Sequence, residues 1–410
     1  MTQTDAHVVI LGAGHAGGTA AALLRQYGWK GPITLLGAEP LPPYQRPPLS
    51  KQWLTGEADW KNLALRADSF YAANGITLRL GASASALERD ARTVTLGTGE
   101  RLAYDHLILA LGSRPRTLDL PGIDLDGVME LRTVADADAL RSALGPGRRL
   151  AVIGGGYIGL EAAASARRLG ADAVVIEREA RVLARVACPT LSEFFQNYHR
   201  ARGVELVLDA RVEALEAASG RVNGVRLSDG RLLACDTVLI GVGALANDEL
   251  ASAAGLACEG GIVVDLAART ADPRILAIGD CTRRPLPLYS RMWRLESVPN
   301  ALEQAKQAAA TLCGRSPPTP EVPWFWSDQF DIRLQIAGVP FDAAETVIRG
   351  DPATARFALF HLAADNRLLA VEAVNAAPEF MAGRSMIGRQ KQIPEPRLRD
   401  MSVSIKDLAV

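Results

Sequence analysis

The feature that most constrains this chain is a glycine pattern that occurs twice in the same setting. A strand over residues 7–11 runs into Gly12-Ala13-Gly14-His15-Ala16-Gly17, then an alanine-rich helical stretch and a second strand over 33–36. About 140 residues later, a strand over 150–153 runs into Gly154-Gly155-Gly156-Tyr157-Ile158-Gly159, a helix and a strand over 173–176. Each is G-x-G-x-x-G between a strand and a helix of a βαβ unit. The first glycine permits the tight turn, the second lets backbone approach a pyrophosphate, and the third lets helix pack close to strand. The helix N-terminus then offers unpaired N–H groups and partial positive charge to the phosphates. Two such units predict an α/β chain with two Rossmann-like domains and two dinucleotides, most economically FAD with a nicotinamide nucleotide.

The likeness extends past the loops. Residues 70–115 carry alternating runs at 76–80 and 93–96 and close on an apolar run at 107–111, which reads as a meander plus a buried strand. A similar block at 204–247 closes on Val238-Leu239-Ile240-Gly241-Val242-Gly243, so the duplication includes its tail. Ser316-Pro317-Pro318-Thr319-Pro320 reads as a linker into a third domain. Length agrees, since 410 residues at ~150 per domain make two or three domains. Lys plus Arg (45) nearly cancel Asp plus Glu (46), and a net charge of -1 supplies no basic field for nucleic acid or an anionic membrane. No uncharged apolar run reaches the ~20 residues a bilayer span needs. The stretch from Met1 has no basic n-region, and five cysteines without a C-x-x-C pair fit a reducing cytoplasm.

Candidate contact residues follow from position. Glu39 is the nearest acidic residue after the second strand and could accept from ribose hydroxyls; a solvated loop carboxylate fits the same place. The apolar run 275–278 ends in Gly279-Asp280, which puts a carboxylate where a strand opens towards a ligand. Glu296-Ser297-Val298-Pro299-Asn300 precedes a helix whose capping box is expected at Asn300 and Glu303. Amides near Val298 would stabilise negative charge on a reduced flavin. Arg46-Pro47-Pro48-Leu49-Ser50-Lys51 presents a cation at each end, either to a phosphate and the flavin ring or to solvent. Glu177 stands 21 residues after Gly156, where a carboxylate selects the free 2′-hydroxyl of NAD, although Arg178 and Arg181 beside it could tolerate a 2′-phosphate. Glu161 lies one turn into the second glycine helix, reaching the nicotinamide or standing exposed in the helix dipole.

Absences narrow the chemistry. The early proline loop offers Tyr44 where disulfide or peroxide reductases usually keep a reactive cysteine. The five histidines lack metal-ligand spacing, so no metal site is expected, and His15 reads as a packing or phosphate-adjacent residue. Trp324-Phe325-Trp326 concentrates aromatics in a chain with only 5% of them, which places Trp326 over the flavin or in interface core.

Four segments together resemble the FAD-containing, NADH-dependent ferredoxin reductases of bacterial oxygenase systems. They are Pro-Pro-Leu-Ser-Lys (47–51), Val152-Ile153-Gly154-Gly155-Gly156-Tyr157-Ile158-Gly159-Leu160-Glu161, Glu296 to Ala305, and Pro323-Trp324-Phe325-Trp326-Ser327-Asp328-Gln329. The resemblance covers essentially the whole chain. It implies a glutathione-reductase-like FAD domain over 1–115 and 245–320, an inserted NAD domain over 116–244 and a C-terminal α/β domain over 321–410. Ala16, Lys51, Arg132, Asp280 and Val298 fall at its FAD-binding positions, and Gly154 to Glu161 with Glu177 at its NAD-binding ones. It also implies hydride transfer from NADH to flavin, then single electrons to an acidic 2Fe-2S ferredoxin that feeds a haem monooxygenase, with no side chain as acid, base or nucleophile. Arg66 and Lys306 match basic positions facing the ferredoxin; Gln335 stands where a Lys is expected, with Arg333 nearby to compensate. Leu111, Ala38 and Ala246 depart from the family's usual Thr, acidic residue and Pro. The same fold also serves NADH oxidases and disulfide or peroxide reductases, and from another class a flavin-switched interaction protein.

Overall fold

The computed structural model describes residues 3–409, so the first residues of the N-terminal stretch fall outside it. Two five-stranded parallel sheets share one order over four strands, while the fifth follows those four in the chain in the first sheet and precedes them in the second. The first runs Ile76–Leu80, Ile33–Gly37, Val8–Leu11, His106–Leu109, Ile275–Ala277, and the second Val204–Val207, Asp172–Ile176, Arg149–Ile153, Thr237–Ile240, Val128–Met129. The fifth strand of the first sheet returns only after the whole second sheet has been made. In each unit the central strand is buried on both faces, which is why it reads as an unbroken apolar run. Val8 and Ile10 face the helices His15–Gln26 and Val298–Leu312, whereas Val9 and Leu11 face the opposite layer. Leu150 and Val152 are likewise separated from Ala151 and Ile153.

The run at 76–80 departs from the expected meander. It pairs in parallel with Ile33–Gly37 at the sheet edge, and the meander is built from Ala84–Glu88, Thr93–Leu96 and Arg101–Ala103 instead. The second unit repeats this with Val204–Val207 and a separate three-stranded meander beginning at Val212. An edge strand with one wetter face alternates just as a meander strand does, so period alone does not name its partner. The capping box also moves. Ser297, not Asn300, caps the helix Val298–Leu312 and accepts from the Asn300 amide at 3.2 Å. Pro299 is tolerated within that first turn, while Asn300 and Glu303 are buried against Arg284, at 3.0 and 2.7 Å.

The C-terminal region folds as a five-stranded antiparallel sheet in the order Trp324–Gln329, Ile332–Gly338, Leu368–Val374, Arg356–Leu362, Glu345–Asp351. One face packs on the helix Ala377–Gly388 and the other on the second glycine unit. Alternation along the first strand sorts its contacts. Phe325, Ser327 and Gln329 meet Tyr157, Glu161 and His199 of that unit, at 4.7 Å between rings and at 2.6 and 2.8 Å by hydrogen bond. Trp324 points the other way, onto Phe380.

His199 is fully buried at this junction. Burial lowers its pKa from 6.5 to about 4, outweighing the Gln329 hydrogen bond that raises it. A folded pKa below the unfolded one means the unfolded chain binds the extra proton. Stability is therefore intact above pH 6.5 and declines as pH falls towards 4, by about 3 kcal/mol in full. His199→Gln should flatten the fall of melting temperature across that window; an unchanged slope would remove His199 from the acid response.

Candidate functional site

A cavity of about 480 Å³ opens where all three regions meet. Its floor is the first glycine loop. Gly12 has φ +112°, and a Cβ there would sit 2.1 Å from the Ala110 carbonyl oxygen; one at Gly17 would sit 1.9 Å from that of Gly12. At Gly14 a Cβ would meet nothing within 4 Å, because that position faces the cavity. The second loop repeats the division of labour. Gly154 and Gly159 are closed in by backbone oxygens at 2.4 and 2.2 Å, and Gly156 is open. In both loops the outer glycines serve packing and the middle one leaves a ligand room.

Charge converges on the first loop. Arg46 pairs with Glu39 at 2.7 Å and donates to the Arg132 carbonyl at 2.5 Å, while Tyr44 donates to Glu39 at 2.5 Å. Arg132 stands 3.6 Å from Asp280, which also accepts from Ser113 at 3.1 Å. Burial, then the neighbouring Arg46 charge, lowers the Arg132 pKa. His15 is held down to about 4 by burial first and Arg46 second, so it is neutral at pH 7 and still able to hydrogen-bond. Two crowded cations beside an open glycine amide and a helix N-terminus fit a pyrophosphate. Asp280, beyond the left-handed turn at Gly279 (φ +82°), fits a hydroxylated chain. Ala16 lines the same floor, and Val298, first residue of its helix, opens onto the cavity with Trp326. The donor set fits FAD.

Lys51 and Glu161 join the regions at this cavity. Glu161 is 2% exposed, not the solvated helix carboxylate that the sequence equally allowed. It accepts from Lys51 at 2.7 Å, Ser50 at 2.5 Å and Ser327 at 2.6 Å. Ile158, on the same helix, is 47% exposed and lines the cavity. Tyr157 turns its ring into the domain junction instead, so only its backbone remains for a nucleotide. Glu177 accepts from the Gly155 amide at 2.7 Å and the Glu179 amide at 3.0 Å, which fixes the carboxylate against the second loop. Arg181 is committed inwards to Ala184, Ala187 and Ser192, leaving Arg178 as the exposed neighbouring cation. Gly243 (φ +106°) turns the chain after the second sheet, and its carbonyl accepts from Arg116 at 2.9 Å.

Arg66 and Arg333 are exposed, the first with its guanidinium 5.6 Å over Phe70. Lys306 shares its charge with Glu321 at 3.8 Å. Ser50, Ser113, Ser327 and Asn247 were missed as site residues. Each is a small polar side chain in a segment notable for other letters, and only folding shows what it touches.

Two dinucleotide cradles, one opening on a shared cavity closed by a third region, define a flavin-dependent pyridine-nucleotide oxidoreductase. The chain belongs to the pyridine nucleotide-disulphide oxidoreductase family, whose model matches residues 6–305, and residues 324–409 match the reductase C-terminal model. Its cofactors are FAD and NAD(H). It is 54% identical over 409 residues to a probable ferredoxin reductase, CtmF, of Castellaniella defragrans, covering 100% of both chains. It is 42% identical over 407 residues to the putidaredoxin reductase CamA of Pseudomonas putida, covering 98% of this chain and 96% of that one. It superposes on the reductase of a covalent putidaredoxin reductase–putidaredoxin complex with a TM-score of 0.96 at 41% identity, covering 98% of each chain.

Proposed function

We propose that this protein is an NADH-dependent ferredoxin reductase of the cytoplasm, serving a haem monooxygenase through a transient, acidic 2Fe-2S ferredoxin. The carrying observation is the wall of the cavity. Ile158 of the nucleotide helix and Trp326 of the C-terminal sheet line it together, and no cysteine does among the described residues. Bound FAD supplies the conversion between a two-electron hydride donor and a one-electron acceptor. The chain's own residues bind and orient. Gly14, Arg46 and Arg132 receive the pyrophosphate, Asp280 and Glu39 take hydroxyls, and Lys51 is aimed by Glu161. The helix beginning at Val298 offers that residue's amide and its dipole to developing negative charge, because Pro299 has no N–H and Ser297 takes the Asn300 amide. Cys281, the cysteine beside Asp280, is fully buried with its thiol pushed up to about 12 by burial, which opposes a disulfide-reductase reading.

The test is acceptor choice. NADH-reduced protein should pass electrons quickly to a 2Fe-2S ferredoxin and slowly to oxygen or disulfides; the reverse order would favour an oxidase or disulfide reductase. Slow transfer to every acceptor would favour a flavin-switched interaction protein. Glu177→Ala should raise the NADH concentration required and narrow the gap to NADPH, and an unaltered ratio would remove Glu177 from nucleotide selection. Neutralising Arg66 and Lys306 should slow ferredoxin reduction while sparing reduction of a small dye such as ferricyanide. Equal losses with both acceptors would count against a docking patch.

A further inference from the structure

Cys188, His361 and Glu372 come from three separate segments and meet behind the nucleotide helix. The sulfur, an imidazole nitrogen and a carboxylate oxygen all lie within 4.8 Å of one another, and none of the three residues lines the cavity. Cys188 caps the helix Pro189–Ala201 of the second glycine unit, whereas His361 and Glu372 lie on adjacent strands of the C-terminal sheet. The two sheet residues are 2% and 1% exposed. His361 Nε2 is 3.1 Å from Glu372 Oε2, and its Nδ1 is 3.1 Å from the Thr346 hydroxyl. Beside them the Tyr157 hydroxyl is buried without a partner, in the field of Glu372 and Cys188.

Sulfur, nitrogen and oxygen donors in one cluster, the sulfur half-buried and the other two buried, are the set a zinc ion takes. With thiolate and carboxylate ionised and imidazole neutral, the ligands carry the two negative charges that a divalent cation cancels. Ligand bonds of ~2.0–2.1 Å at tetrahedral angles hold a nitrogen and an oxygen roughly 3.3 Å apart, close to the separation seen here. The surroundings are already those of a ligand shell. Thr346 orients the ring so that Nε2 faces the cluster, and Cys188 stands at the N-cap position of its helix.

We propose that Cys188, His361 and Glu372 supply three of the four ligands of a zinc ion, a water completing the set, and that the ion ties the second glycine unit to the C-terminal domain. The ion would fix the start of the helix Pro189–Ala201 against two strands of the sheet. Binding would release the Cys188 proton and leave the oxidation state unchanged.

Full-length, FAD-loaded protein grown with zinc and desalted without chelator should retain about one zinc per chain by mass spectrometry. Cys188→Ser and His361→Gln should each weaken zinc binding by at least ~10-fold in equilibrium dialysis, with flavin content and circular dichroism confirming the fold. Wild-type protein without stoichiometric zinc, or variants that hold as much as wild type, would overturn the site and leave only a buried His–Glu pair. If neither variant folds, wild-type protein loaded with cobalt decides. A four-coordinate spectrum to the red of the flavin bands, with sulfur-to-cobalt charge transfer, supports the site; no uptake or a six-coordinate spectrum overturns it.

Discussion

Gly12→Ala is expected to yield colourless or unfolded protein, while Gly14→Ala stays folded and holds FAD more weakly. The difference follows from where each new methyl would go. At Gly12 the backbone has φ +112° and the Cβ would lie 2.1 Å from the Ala110 carbonyl oxygen, on a rigid neighbouring strand end. A left-handed alanine alone costs ~1–3 kcal/mol, and the clash adds displacement of the loop that carries the Gly14 amide. At Gly14 there is nothing within 4 Å to meet, so the empty fold loses nothing. Its cost appears only when a pyrophosphate must approach the backbone, and ~1.4 kcal/mol of lost contact is already tenfold in affinity. Flavin-to-protein absorbance ratios, FAD titration and melting with and without added FAD separate the two effects. Wild-type behaviour at Gly12 would show that the loop relaxes freely; wild-type FAD affinity at Gly14 would place the pyrophosphate elsewhere.

Lys51→Met should lower stability by about 3–5 kcal/mol, because it leaves a buried carboxylate without its cation. Glu161 is 2% exposed and Lys51 11%, so neither charge is rescued by water. Ser50 and Ser327 still donate to Glu161, but two neutral hydroxyls do not replace the ammonium. Adding Glu161→Leu to Lys51→Met should recover part of that stability, since it removes the buried charge while the Ser50 and Ser327 hydroxyls lose their acceptor. Flavin reduction by NADH should stay slow in the double variant. Lys51 lines the cavity, and Glu161 holds it there from the nucleotide helix. Melting curves and stopped-flow flavin bleaching provide the two readouts. A Lys51→Met protein as stable as wild type would show that the pair is solvated in solution. A double variant that reduces at the wild-type rate would remove Lys51 from the flavin ring.

Much of this site is legible in the letters because its parts are local. A strand, three glycines and a helix occupy a dozen residues, and the geometry each glycine serves is a property of its own turn. Gly12, Gly14, Asp280 and Val298 could therefore be placed without knowing what lies opposite. Glu161 could not. One turn into a helix, a carboxylate reads the same whether it faces water or Lys51, Ser50 and Ser327, which lie 110, 111 and 166 positions away. The helix start at Ser297 was misplaced for a related reason: Asn300 and Glu303 look like a cap, but burial against Arg284 claims their side chains.

By itself the sequence determined two nucleotide cradles, their alternating apolar strands and the absence of a cysteine in the flavin loop. Backbone turns and strand periodicity are set by neighbours within a few residues, so a chain declares them locally. Tertiary structure decided which cations converge on the first glycine loop and which arginine beside Glu177 turns inwards. It also decided that Cys188, His361 and Glu372 should meet, although no spacing links them. Those outcomes depend on burial and on charges brought together over long separations, and they exist only once the sheets have packed.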